Sequence, residues 1–261
     1  MRLQIVGGGK MGEALLGGVL ASGWAQPGDV AVVELSEDRR AVLATQHPSL
    51  VIRASVSSAE DAIIAVKPQY VGDVAADLYA HGCERMLSIA AGVTLDTIEA
   101  AAPDAAVVRC MPNTPSLVGK GASAIAAGKC ATDADLDWAE EILTSVGLVV
   151  RLPEGDLDAV TGVSGSGPAY VFHLAEGLIA AGIEQGLTPE VADTLARQTI
   201  LGAATLMTES GEDPAVLREN VTSPGGTTAA GLAVFADADL IGLVGKVVDA
   251  AVQRSVELGQ S

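Results

Sequence analysis

The sequence predicts a doubly wound α/β sheet in its first half and an all-α domain in its second. Short β-branched runs alternate with helical patterns as far as residue 151, and after Pro153 only helical spacing remains. Strand then helix, repeated, is the pattern of a parallel sheet covered on both faces.

The strand-like runs are L-Q-I-V (3–6), V-A-V-V (30–33), V-I (51–52), A-I-I-A-V (62–66), M-L-S-I (86–89), A-V-V-R (106–109), A-S-A-I-A (122–126) and L-V-V-R (148–151). Helical stretches lie between most of them. In the second half, residues 169–186, 189–209, 214–220 and 239–258 show helical spacing. Leu240, Leu243, Val244, Val247, Val248 and Ala251 share one helix face. Thr188-Pro189 reads as an N-cap followed by proline at the first helical position. The predicted domains are 1–153 and 154–261. The apolar helices of the second domain either close into a bundle alone or pair with a second copy, and the dimer is the expectation.

The chain has 261 residues, enough for one large domain or two of ordinary size. Hydrophobic residues make up 49% and charged ones only 18%, so global disorder is excluded. Aromatics are 3%, so the core must be built from small aliphatic side chains. The net charge is −18, a field that repels nucleic acid and anionic membrane alike. An anionic substrate needs a local positive site to overcome it, such as a helix N-terminus.

Three cysteines, Cys83, Cys110 and Cys130, are scattered without a C-x-x-C, which predicts reduced thiols. His47, His81 and His173 are isolated, and no metal-ligand spacing is present. The first apolar run is too short and glycine-rich for a signal peptide, and no stretch reads as a membrane span. The expected location is cytoplasmic.

Gly7-Gly8-Gly9-Lys10-Met11-Gly12 matches G-x-G-x-x-G between a strand and a helix, the context a dinucleotide-binding loop requires. The first glycine makes the tight turn, the second admits the pyrophosphate, and the third lets helix and sheet pack closely. This makes the first domain Rossmann-like. The second run ends at Glu34, where an acidic residue accepts hydrogen bonds from the ribose hydroxyls of NAD. Ser36, Arg39 and Arg40 point instead to the 2′-phosphate of NADP, or belong to a solvated first helical turn. Both NADPH and NADH stay open on these residues. A-V-K-P (65–68) ends the fourth run, where Lys67 either projects into the crevice or is an ordinary surface residue.

Residues 109–115 read R-C-M-P-N-T-P, a rigid turn presenting Asn113 and Thr114. Residues 161–170 read T-G-V-S-G-S-G-P-A-Y and lead into a helix. Residues 220–231 read N-V-T-S-P-G-G-T-T-A-A-G, with hydroxyls and bare backbone but no charge. Such a stretch is either a capped loop or a carboxylate cradle. Hydrogen bonds to a charged group contribute about 1.5–3 kcal/mol each, and a helix end adds about 0.3–1 kcal/mol. Two or three such donors outweigh a distant, salt-screened net charge.

Together these segments resemble the pyrroline-5-carboxylate reductases. The most specific are D-A-V-T-G-V-S-G-S-G-P-A-Y (158–170) and V-T-S-P-G-G-T-T (221–228), with A-A-G-V-T (90–94) and the loops above in the matching order. The resemblance implies hydride transfer from NAD(P)H to the carbon of a cyclic imine carboxylate, giving proline. It implies a C-terminal domain whose helices interleave in a dimer, an active site completed across that interface, and larger rings, often decamers. By the same resemblance Gly7 to Gly12 hold the pyrophosphate, and Glu34 and Ser36 meet the adenosine ribose. Ala65, Val66, Lys67 and Pro68, with Ala90, Ala91 and Gly92, line the nicotinamide side, and Asn113 and Thr114 lie near its ring. Ser164, Gly165, Ser166 and Gly167 lie near the substrate. Ser223, Gly226, Thr227 and Thr228 hold its carboxylate, Asn220 is a further substrate-binding residue, and Thr228 and Lys67 are the candidate catalytic side chains. No metal is implied. The chain departs from the family at G-E-D-P (211–214), where a basic or His-Pro segment is common, and at Glu34, where Ser or Asn is common.

Two other readings compete. β-Hydroxyacid dehydrogenases share the two-domain plan, but they carry a lysine near the position of Val171 to handle the alcohol proton. A non-catalytic NAD(P) sensor has no need of the hydroxyl-rich loop.

Overall fold

The computed structural model describes residues 1–259. Eight strands form one sheet: β1 (Leu3–Val6), β2 (Val30–Val33), β3 (Val51–Arg53), β4 (Asp61–Ile64), β5 (Arg85–Ser88), β6 (Ala106–Met111), β7 (Gly121–Ala127) and β8 (Gly147–Arg151). Their spatial order is β3-β2-β1-β4-β5-β6-β7-β8, so the order reverses between β1 and β4. All pairs are parallel except β6–β7. That exception corrects the expectation of a wholly parallel sheet. A parallel crossover needs about a dozen residues or more. Residues 112–120 instead hold a short 3-10 turn, Thr114–Val118, stopped by Gly119 in the left-handed region.

Alternate side chains of each strand enter two separate cores, because successive residues face opposite sides of a sheet. Leu3, Ile5, Ile63, Leu87, Val108 and Ile125 pack with Leu15, Leu16 and Val19 of α1 (Lys10–Ala21) and Leu43 of α2 (Glu37–Gln46). Trp138, Ile142 and Leu143 of α5 (Asp133–Thr144) complete that layer. Val6, Ala62, Ile64, Met86 and Val107 pack with Val71, Ala75 and Leu78 of α3 (Val71–Ala80) and Leu95 and Ile98 of α4 (Leu95–Ala101). Leu157 of α6 (Leu157–Val160) joins this second layer. Cys110 and Cys83 are buried, one in each core, and burial pushes their thiols up to about 12 and about 11. Cys130 is exposed and all three thiols are free.

A single π-helical turn, Thr161–Gly165, follows α6 and leads to α7 (Gly167–Glu184). Then come α8 (Pro189–Ser210), α9 (Pro214–Asn220), α10 (Thr227–Asp237) and α11 (Leu240–Gly259). Thr188 caps α8 with Pro189 at its first position, as the sequence predicts. The unusual G-E-D-P segment is a stop and a start: Gly211, left-handed, ends α8, and the Asp213 carboxylate caps α9. The helical spacing of the sequence did not mark α10, whose apolar residues run all round it. None of the described helices is long and apolar enough to cross a membrane.

By contacts the chain divides into two compact units, residues 1–166 with the chain from Ala250 onward, and Gly167–Asp249. Ser255 of α11 donates to Asp158 Oδ1 at 2.6 Å within the first unit. The second unit differs in its lack of an interior. Among the described residues, its buried hydrophobic side chains are only Ala192 and Ala196. Leu201 is 60% exposed and Ile241 82%.

One carboxylate ties the far side of the sheet together. Glu154 Oε1 accepts from Arg109 Nη1 of β6 and from the Leu95 N–H that opens α4, both at 2.7 Å. Arg109 is 7% exposed, so its charge depends on this partner. Glu154→Ala is expected to cost about 1–3 kcal/mol of stability, the penalty for leaving a buried donor unsatisfied. Chemical denaturation of the variant checks this value, and an unchanged midpoint would show that water replaces the carboxylate.

Candidate active site

The strand order reverses where β1 and β4 lie side by side, and in open α/β sheets ligands bind beyond the carboxyl ends of the strands at that point. Gly7 follows β1 with φ +109°, and a Cβ there would lie 2.4 Å from the Ala65 carbonyl oxygen. At Gly12, in the first turn of α1, a Cβ would lie 2.0 Å from the Gly7 carbonyl oxygen. Both positions therefore demand glycine, and the demand brings the start of α1 directly onto the strand end.

Gly9 is the N-cap of α1 and offers no side-chain cap. The first intrahelical bond runs from Glu13 N–H to Gly9 O at 2.9 Å. The N–H groups of Lys10, Met11 and Gly12 precede it, so the helix supplies them no acceptor. Nothing lies within 4 Å of where a Gly9 Cβ would be. Free donors, a positive helix end and open space fit the pyrophosphate of a dinucleotide.

Glu34 stands just past β2. Its Oε2 accepts from Gly8 N–H at 3.0 Å and its Oε1 from Ser36 N–H at 2.9 Å. Ser36 in turn caps α2, accepting from Arg39 N–H. Arg39 reaches back, donating from Nε to Gly8 O at 2.7 Å and from Nη2 to Glu13 Oε2 at 2.5 Å. Arg40 donates from Nη1 to the carbonyls of Glu34 and Leu35. The glycine loop is thus braced from β2 and α2 through two residues, Glu34 and Arg39. The bracing by Arg39 is not marked in the sequence, where the arginine reads either as a 2′-phosphate ligand or as a residue of a solvated helical turn.

A cavity of about 340 Å³ opens beside this loop. Met11, Ala65, Val66 and Pro68 line one side, and Ile89, Ala90 and Ala91 another. Met111, Pro112, Asn113, Thr114 and Gly165 complete it. Most of the predicted nicotinamide residues are therefore brought together. Lys67 is not among them. It is exposed and serves as the N-cap of the 3-10 turn Pro68–Tyr70, because β4 already ends at Ile64 and Pro68 turns the chain. Gly92 lies beside the lining rather than in it, packed against Leu258 of α11.

Asn113 has a second task. Its Nδ2 donates to the Ser164 carbonyl at 3.0 Å and its Oδ1 accepts from Ala122 N–H at 2.9 Å. The amide is held at both ends, so it fixes the turn at 161–165 against the start of β7. Ser164 uses its own hydroxyl on the Val160 carbonyl, and Ser166 N–H closes the π turn on Thr161 O at 2.8 Å.

In the second unit the predicted carboxylate cradle is a helix start. Asn220 ends α9, and Thr222 N–H bonds back to Glu219 O at 2.9 Å. Gly225 is left-handed, and Gly226 is the N-cap of α10 without a side-chain cap. The first intrahelical bond is Ala230 N–H to Gly226 O at 3.1 Å. The N–H groups of Thr227, Thr228 and Ala229 precede it, with the exposed hydroxyls of Ser223, Thr227 and Thr228 around them. The electrostatics suit an anion without any lysine.

The fold and the glycine loop define a dinucleotide-binding protein of the Rossmann class. The model for NADP oxidoreductase, coenzyme F420-dependent, matches residues 2–92, and that for pyrroline-5-carboxylate reductase dimerisation matches 154–258. A pyrroline-5-carboxylate reductase of Synechocystis sp. is 43% identical, across 100% of this chain and 99% of that protein. One from Arabidopsis thaliana is 37% identical, across 100% and 96%. The solved structure of a pyrroline-5-carboxylate reductase from Coxiella burnetii superposes with a TM-score of 0.92 at 33% identity, covering 100% of this chain and 99% of that one. One from Plasmodium falciparum, with NADP bound, gives 0.84 at 29% identity, covering 99% and 98%. The chain belongs to the pyrroline-5-carboxylate reductase family.

Gly12→Ala is expected to push α1 off the strand end. Overpacking of this kind costs about 1–3 kcal/mol, and affinity for NADPH and NADH should fall by roughly tenfold or more as the N–H groups shift from the pyrophosphate. Nucleotide fluorescence titration beside a denaturation curve separates the two effects. Full affinity in a stable variant would show that the loop adapts.

Proposed function

We propose that the chain reduces 1-pyrroline-5-carboxylate to L-proline with NADPH or NADH, the last step of proline synthesis. The full-length identity to reductases of this name carries the reading. The first-turn N–H groups of Lys10, Met11 and Gly12 hold the pyrophosphate. The cavity walled by Ala65, Val66, Pro68, Ala90 and Ala91 takes the nicotinamide, keeping water from it with apolar side chains. The reduced nicotinamide, when bound, supplies the hydride that converts the imine C=N to the ring amine.

The substrate carboxylate is assigned to the start of α10, where Ser223, Gly226, Thr227 and Thr228 present hydroxyl and N–H donors. These groups bind and orient. A protonated imine is already electrophilic, so holding it in place carries much of the catalysis. Asn113 acts by position, fixing the 161–165 turn at the edge of the nicotinamide cavity. Self-association is assigned to the second unit, as a dimer from which larger rings up to a decamer are built. Its exposed apolar helices, with only two buried alanines, support this. The free thiols support a cytoplasmic location.

The direct test is the initial rate of NADPH and NADH oxidation with 1-pyrroline-5-carboxylate. Turnover with either supports the assignment, and cofactor binding without turnover moves the protein to a sensor. Thr228→Ala is expected to lower kcat/KM by roughly tenfold or more, the loss of one hydrogen bond to a charged group, with cofactor affinity nearly unchanged. Wild-type kinetics in that variant would make the threonine structural. Sedimentation velocity is expected to show a dimer or a multiple of it, and a monomer at micromolar concentration would remove the assembly from the proposal.

A further inference from the structure

We propose that Glu34 sets the cofactor preference, so that the enzyme takes NADH ahead of NADPH. The inference rests on the reductase reading and goes beyond it, since either nucleotide serves the chemistry. In this fold the residue at the end of β2 meets the adenosine ribose, where the two cofactors differ by one 2′-phosphate.

The local geometry is that of a site already holding its own anion. The Glu34 carboxylate bridges two backbone donors, Gly8 N–H and Ser36 N–H, at 3.0 and 2.9 Å. Both donors are thereby withdrawn from any other anion. Each carboxylate oxygen keeps a lone pair to accept from a ribose hydroxyl, which NADH offers and the 2′-position of NADPH does not. Both arginines of this turn already have partners. Arg39 is held by Gly8 O and Glu13, and Arg40 by the carbonyls of Glu34 and Leu35. Ser36 uses its N–H on Glu34 and its oxygen as the cap of α2. The first turn of α2 then adds Glu37 and Asp38. A phosphate here would meet the Glu34 carboxylate beside an acidic first turn of α2, and would compete for guanidiniums already engaged by the loop and the end of β2.

The experiment is isothermal titration calorimetry of the full chain with NADH, NADPH, ADP-ribose and 2′-phospho-ADP-ribose at fixed ionic strength, alongside imine-reduction rates. NADH and ADP-ribose are expected to bind roughly tenfold or more tightly than their phosphorylated counterparts, the scale of one like-charge contact near a protein surface. Glu34→Gln, which keeps the size, and Glu34→Ser, which opens the space, are expected to bring both ratios close to one, mainly by strengthening the phosphorylated ligands. Equal or tighter NADPH binding by the wild type, with imine reduction intact, overturns the inference and spares the reductase reading. A wild-type preference that survives in both variants also overturns it, since the discrimination then lies elsewhere. Failure of every nucleotide to bind, with no imine reduction, overturns both readings.

Discussion

Everything in the first unit depends on how closely α1 approaches the end of β1. With 2.0 Å between the Gly7 carbonyl oxygen and the place a Gly12 Cβ would take, the approach admits no other side chain. That contact aims the first-turn N–H groups past the strand end and lets Glu34 reach Gly8. It also allows Met11 to form part of the wall of the adjoining cavity. The sheet supplies the reversal in strand order, but the glycine contact turns that reversal into a binding site.

The chain treats its helix starts in two ways. Those of α2, α4, α8 and α9 carry side-chain caps from Ser36, Thr94, Thr188 and Asp213. Among the starts without one, which include α3 and α6, those of α1 and α10 have glycine at the N-cap, Gly9 and Gly226. An uncapped start leaves donors unanswered unless water or a ligand answers them. In a protein of net charge −18, such starts offer backbone donors of the sign an anion needs. At α10 the start carries no lysine at all.

Much of this was legible in the sequence, because the deciding signals are local. All eight strands overlap the strand-like runs of the sequence, and the loop at 7–12 declares itself by glycine spacing between a strand and a helix. What was hidden is set by partners distant in sequence. The antiparallel β7 follows from the shortness of residues 112–120, which a pattern of alternating elements does not weigh. α10 lacks a polar face, so its period is faint. Asn113 reads as a turn residue presented to a ligand, yet its amide is bonded to Ser164 and Ala122. Lys67 reads as a crevice residue only while the strand is taken to run to Val66. The strand ends two residues sooner, and the lysine is exposed.

The second unit carries a different lesson about where stability resides. A helical assembly whose interior amounts to Ala192 and Ala196 has almost no inside of its own. In the proposed dimer its folding and its association are coupled, so dilution weakens both. The ordinary distinction between surface and core loses its meaning there. Leucine, valine and phenylalanine side chains open to solvent in a single copy, Leu201, Val234 and Phe235 among them, take the part of core residues in the proposed dimer.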